Sequence, residues 1–109
     1  MARIVALVPD LMFASKVEAT LRAAGHDVEL TSSVGAIKLG EEAPDLVIAD
    51  LGDVEPAELG SHAAPVLGFY SHVDVETQRR AESAGIDVIV PRSRMAREMP
   101  ELVESLLAG

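Results

Sequence analysis

The chain has 109 residues and a formal net charge of −9, from 18 acidic and 9 basic side chains, with no cysteine. That length supports one hydrophobic core and not two, so a single domain over residues 1–109 is expected. The missing thiols exclude disulfides, thiolate catalysis and sulfur-ligated metals. The acidity argues against nucleic acid as a partner, and with no Trp, one Tyr and two Phe there is no platform for stacking bases.

The first apolar run, Ile4 to Val8, reads as a central parallel strand. Pro9-Asp10 ends it after five residues, short of the roughly 7–15 that a signal peptide needs. No run reaches the ~20 residues of a membrane helix, so a cytoplasmic protein without membrane contact is expected. Asp10 is placed to cap a helix over 11–24, in which Phe13, Val17 and Leu21 recur every four residues and Gly25 marks the end. His26 to Thr31 alternates polar and apolar, as a strand with one wet face at a sheet edge does. Ser32 or Ser33 opens a short helix to about Glu42, weakened by Gly35 and Gly40.

Pro44-Asp45-Leu46-Val47-Ile48-Ala49-Asp50 reads as a strand buried on both faces, with Asp50 where the strand leaves the sheet. Residues 51–64 leave room for little more than one helical turn near Pro56–Leu59, so the third crossover is short and the sheet face beneath it is expected to be thinly covered. Val66 to Tyr70 is the next strand. A helix follows over 75–84 with Asp74 as cap, Gly85 as stop and a thin apolar face, and then a last strand over 88–90. From Arg94 onward Met95, Met99, Leu102, Val103 and Leu106 keep one helical phase through Pro100. Either one helix kinks there, or a turn hands over to a helix with Pro100 in its first position; the preserved phase favours the kink.

Strands alternating with helices, the second strand amphipathic and the first and third wholly apolar, give an α/β fold: a flavodoxin-like, doubly wound, five-stranded parallel sheet of order 2-1-3-4-5. The series Arg3-Ile4-Val5, Ala23-Ala24-Gly25-His26-Asp27-Val28, Pro44 to Asp50, Pro65-Val66-Leu67 and Ala84-Gly85-Ile86-Asp87 resembles the receiver domain of bacterial response regulators, the CheY-like superfamily of two-component signalling. The resemblance covers nearly the whole chain. It implies that Asp50 matches the aspartate that accepts a phosphoryl group. The two acidic positions that help hold Mg²⁺ in that family match Val8 and Pro9 here, with Asp10 at a third, more variable position. The hydroxyl position matches Tyr70, or Ser71 one residue on, and the family's lysine matches Arg92.

Transfer of a phosphoryl group onto a carboxylate brings two anions together, and metal and fixed positive charge lower that barrier. Val8 and Pro9 bring no side-chain oxygen, and Mg²⁺ is rarely held by one carboxylate. Arg92 is a planar fork that stays charged and suits a carboxylate, so it is expected to pair with Asp50. The expectation is therefore a degenerate, stand-alone pseudo-receiver: not an enzyme, without metal or cofactor, acting by protein–protein interaction. The family's signalling face carries over to the helix at 75–84, the strand at 88–90 and the helix at 94–107, with Arg79, Arg80 and Arg97 as contacts and a homodimer as one use of it. Two alternatives stand beside it: a true receiver phosphorylated at Asp50 with Mg²⁺ on Asp10 and Asp50, and a flavodoxin-like small-molecule binder opening at the short crossover.

Other reactive groups have blander expectations. His26 and His62 have no companions at ligand spacing, and His72 near Asp50 and Asp53 reads as a loop residue. Arg92, Arg94 and Arg97 read either as an anion-binding patch or as a solvated face paired with Glu98 and Glu101, and Met95 with Met99 as core.

Overall fold

In the computed structural model, residues 2–31, 44–52, 54, 64–71 and 75–108 are described. The expected helix at 33–42, the turn at 56–59, and Asp53, His62, His72 and Asp74 lie outside them. The elements are β1 (Arg3–Leu7), α1 (Leu11–Ala23), β2 (Asp27–Leu30), β3 (Leu46–Asp50), β4 (Val66–Tyr70), α2 (Val75–Ser83), β5 (Val88–Pro91) and α3 (Arg92–Ala108). All strand pairs are parallel, in the order β2-β1-β3-β4-β5. Val28 is buried while Asp27 and Glu29 are exposed, as befits a strand at the rim. Every residue of β3 is buried, as befits one in the middle.

Alternation along the strands sorts the core into two layers. Ile4, Ala6, Val8, Leu46, Ile48, Leu67, Phe69 and Val90 face Phe13, Val17 and Leu21 of α1 and Met95, Met99 and Val103 of α3. Val5, Leu7, Val47, Ala49, Leu51 and Val66 form the other layer with Ala81 of α2 and Ile86. The sheet face expected to be thinly covered is in fact buried, down to Val47 and Ala49. Leu51 contributes to that cover by folding back across β4. A Cβ on Gly68 would lie 2.8 Å from Leu51 Cδ1 and 3.0 Å from its Cγ, so a glycine is what admits the leucine.

The helix ends follow from local chemistry. After α1, Gly25 takes φ 94°, its N–H donates to the Arg22 carbonyl, and the His26 N–H donates to that of Leu21. After α2 the arrangement repeats, with Gly85 at φ 80°, its N–H on Glu82 and the Ile86 N–H on Ala81. Both are the left-handed stop in which two otherwise orphaned carbonyls are satisfied. Asp87, just after the second stop, accepts from the Val66 N–H of the neighbouring strand at 2.8 Å, a service that Asp45 performs for the Arg3 N–H, also at 2.8 Å.

α3 begins at Arg92, two residues earlier than the pattern suggested, so β5 passes into it without a loop. It consists of two helical segments joined across a kink, so it combines features of both expected alternatives. Glu98 departs from helical geometry at φ −117°, ψ 16°, two residues ahead of Pro100, whose ring and missing N–H disrupt the preceding turn. Met95, Met99 and Val103 stay buried on both sides of the kink, which is why the helical phase survives it.

Candidate functional site

Asp50 ends β3 and is 5% exposed, the only buried charged side chain among the described residues. Its Oδ1 accepts from the Gly52 N–H at 3.0 Å, and its carbonyl accepts from the Val54 N–H at 2.9 Å, which turns the chain sharply out of the sheet. Register fixes its surroundings. Asp50 lies opposite Phe69, which lies opposite Val90, and Ala49 pairs with Leu7. Asp50 therefore shares the α1/α3 layer with Val8, Phe69 and Val90, a row that is otherwise apolar.

Asp10 is the expected cap: its Oδ1 accepts from the N–H groups of Met12 (3.0 Å) and Phe13 (3.2 Å). Its Oδ2 has a second partner, and here the expectation for Arg92 is corrected. Arg92 donates through Nη2 to Asp10 at 2.6 Å, and no bond joins it to Asp50. Its guanidinium lies 4.4 Å from the centre of the Phe13 ring, and that ring meets Phe69 edge-on at 5.1 Å between centroids. A delocalised, weakly hydrated cation gains from an aromatic face as well as from a carboxylate. Asp10 offers its charge at the solvent edge, whereas Asp50 would require Arg92 to be desolvated. Phe13 is the residue that sequence reasoning assigned to the core alone.

The hydrogen bond from Arg92, helped by the capping N–H groups, holds the Asp10 carboxyl below its ordinary range. The stabilisation linked to this shift is complete above the usual carboxylate pKa and is lost as pH falls through the lowered value. Asp10→Asn keeps a good cap and removes the charge. Between pH 7 and pH 3 the wild type is therefore expected to lose more melting temperature than Asp10→Asn. Equal losses on scanning calorimetry would dissociate the pair from acid stability.

The remaining expected positions are not gathered onto Asp50. The half-buried Tyr70 alternates to the other layer, and its hydroxyl accepts from Gln78 Nε2 of α2 at 3.1 Å. Ser71 and Pro9 are exposed, and Val8 is packed into the core. Arg94 and Arg97 share Glu98, at 3.4 and 3.5 Å, one of the two acids expected beside them. Met95 and Met99 are fully buried. Among the described residues no group of three His, Cys, Asp or Glu is placed to hold a metal ion.

His26 has one carboxylate partner, distant in sequence. The backbone N–H of Ala2 donates to its Nδ1 at 3.3 Å, and its Nε2 lies 2.9 Å from Glu104 Oε1 of α3. The partner is 78 residues away, beyond any spacing rule. Beside it, at the end of the sheet remote from Asp50, lies an open depression of about 520 Å³ lined by Arg3, Arg22, His26, Asp27 and Glu29. Its arginines are already paired, Arg3 with Glu29 and Arg22 with Glu18, and its charged walls are not those of a pocket for a flat apolar ligand.

The strand order, the buried third strand and the aspartate at its end decide the comparison. The fold is that of a receiver domain. It superposes with TM-score 0.83 on NtrX from Brucella abortus at 21% identity, covering 98% of this chain and 26% of that one. Chemotaxis response regulator CheY4 of Vibrio cholerae gives TM-score 0.82 at 15% identity, covering 97% of this chain and 98% of that one. A response regulator receiver protein from Burkholderia phymatum gives 0.81 at 18%, covering 99% and 96%. The chain thus spans about a quarter of NtrX and nearly all of the two smaller proteins. No family model matches it, and no curated protein matches its sequence. Among the described residues no helix is long and apolar enough to cross a membrane.

Proposed function

We propose that this receiver-fold chain is a cytoplasmic signalling module that acts by binding other proteins, is not an enzyme, and does not carry out Mg²⁺-dependent phosphoryl transfer. One observation carries the reading: both oxygens of Asp10 are already engaged, one by the start of α1 and the other by Arg92. With Val8 in the core and Pro9 without a side-chain oxygen, a dication beside Asp50 has, among the described residues, no second carboxylate to share without unmaking the cap or the ion pair. The same pair ties up the cation that would offset an incoming phosphoryl group.

Binding is supported by apolar surface at the rim of the site. Leu11 and Met12 are 81% and 86% exposed on the first turn of α1. The face of α2, β5 and α3 is the second surface we assign to a protein partner or a second copy. There α2 buries only Ala81, Arg79 is exposed, and β5 is a sheet edge.

Incubation with acetyl phosphate and Mg²⁺, followed by intact-protein mass measurement, tests the reading. No adduct is expected. A gain of one phosphoryl group that disappears in Asp50→Ala would establish the alternative, a working receiver.

A further inference from the structure

We propose that the Asp10–Arg92 pair is a closed strap over Asp50, and that breaking it opens the buried carboxylate to solvent. The inference takes from the functional reading only that no metal ion is seated on Asp50. Asp10 follows the end of β1, and Arg92 directly follows the end of β5. In the order β2-β1-β3-β4-β5, the strands β3 and β4 lie between them. At about 4.8 Å per strand, the two outer strands are roughly 14 Å apart. Asp10 caps α1 and Arg92 opens α3, which pack on the same face of the sheet, so their 2.6 Å contact lies on the side of β3 and β4 to which Asp50 belongs. Asp50 is the last residue of β3.

What lies under the contact is apolar and continuous. Arg92 rests on Phe13, Phe13 meets Phe69, and Phe69 is the register partner of Asp50. Strand alternation puts Asp50 in the same layer as these rings. The clasp itself is wet: the Arg92 and Asp10 side chains are 32% and 42% exposed, against 5% for Asp50. Salt and competing ions thus reach the clasp before they reach the carboxylate it shields. The two oxygens of Asp10 divide the work, Oδ1 capping α1 and Oδ2 closing the strap, so an asparagine separates the roles.

Carbodiimide-driven coupling of a small amine to carboxylates, mapped by peptide mass spectrometry, reads the opening without Mg²⁺ or a phosphoryl donor. A phosphoryl adduct would overturn the functional reading and leave this measurement intact. In the wild type, coupling at Asp50 is expected to be slow and to accelerate with salt. In Asp10→Asn it is expected to run roughly two- to fivefold faster at low salt, the factor that a solvent-exposed ion pair carries, and to lose its salt dependence. Arg92→Gln is expected to behave alike, and the salt series on the wild type needs no variant. Asp45 and Asp87, which bond strand N–H groups away from the clasp, serve as internal references. A rate at Asp50 unchanged by salt and by both substitutions overturns the strap, as does a rise that Asp45 and Asp87 share.

Discussion

Phe13→Ala is expected to lower the unfolding free energy by about 3–5 kcal/mol. The ring is buried in the α1/α3 layer, so its removal leaves a cavity against Phe69 that a close-packed sheet cannot collapse to fill. It also takes away the surface on which the Arg92 guanidinium lies. Urea denaturation of the wild type and the variant checks the magnitude, and a loss under 1 kcal/mol would show that this side chain is not the keystone between α1 and the strand ends. Phe13→Leu keeps most of the volume and loses the aromatic face, so it separates the two contributions. The leucine variant is expected to recover the larger share.

Val8→Asp is expected to cost about 3 kcal/mol or more at neutral pH and to leave Mg²⁺ binding absent. This change places an acid one residue past the register pair Leu7–Ala49, beside Asp50. In this chain Val8 is packed with the α1/α3 core, in the same row as Asp50, so the new carboxylate would be desolvated and near a like charge. Both effects raise a carboxyl pKa. The sign follows: with a folded pKa above the unfolded one, the penalty is absent at low pH and grows as pH rises through that interval. Thermal melts at several pH values with and without millimolar Mg²⁺ test this. Recovery of stability on adding Mg²⁺ would mean that one acid at position 8 is enough to seat the ion, and that the Asp10–Arg92 pair does not keep it out.

Most of the scaffold was legible in the residues, because the forces that build it are local or periodic. The uninterrupted apolar runs at Ile4–Val8 and Leu46–Ala49 can only be buried on both sides, and the half-polar run at 27–30 belongs at a rim. Asp10 and Gly25 announce the two ends of α1 through backbone chemistry that needs no tertiary contact. The start of α3 was placed late because Arg92 and Ser93, just after a proline, look like loop residues. Nothing in their sequence shows that β5 feeds directly into the helix.

The site was legible only as a set of candidates. Asp50 and Arg92 were both identified, and their union was inferred from the charge and planar fork of the guanidinium and from its place in the receiver-like pattern. Which carboxylate captures a guanidinium depends on desolvation and on the surface that supports its flat face. Phe13 and Phe69 supply that surface from α1 and β4, 56 positions apart in the chain. His26 and Glu104 escaped notice for a similar reason.

The order of residues therefore decided the strands, the helix ends and the want of a side-chain oxygen at positions 8 and 9, since each depends on what a residue is and on its near neighbours. The pairing of Asp10 with Arg92, the apolar floor beneath it and the burial of Asp50 were decided by the folded chain. They depend on which strand ends the parallel sheet sets side by side, and on how much water is left between them.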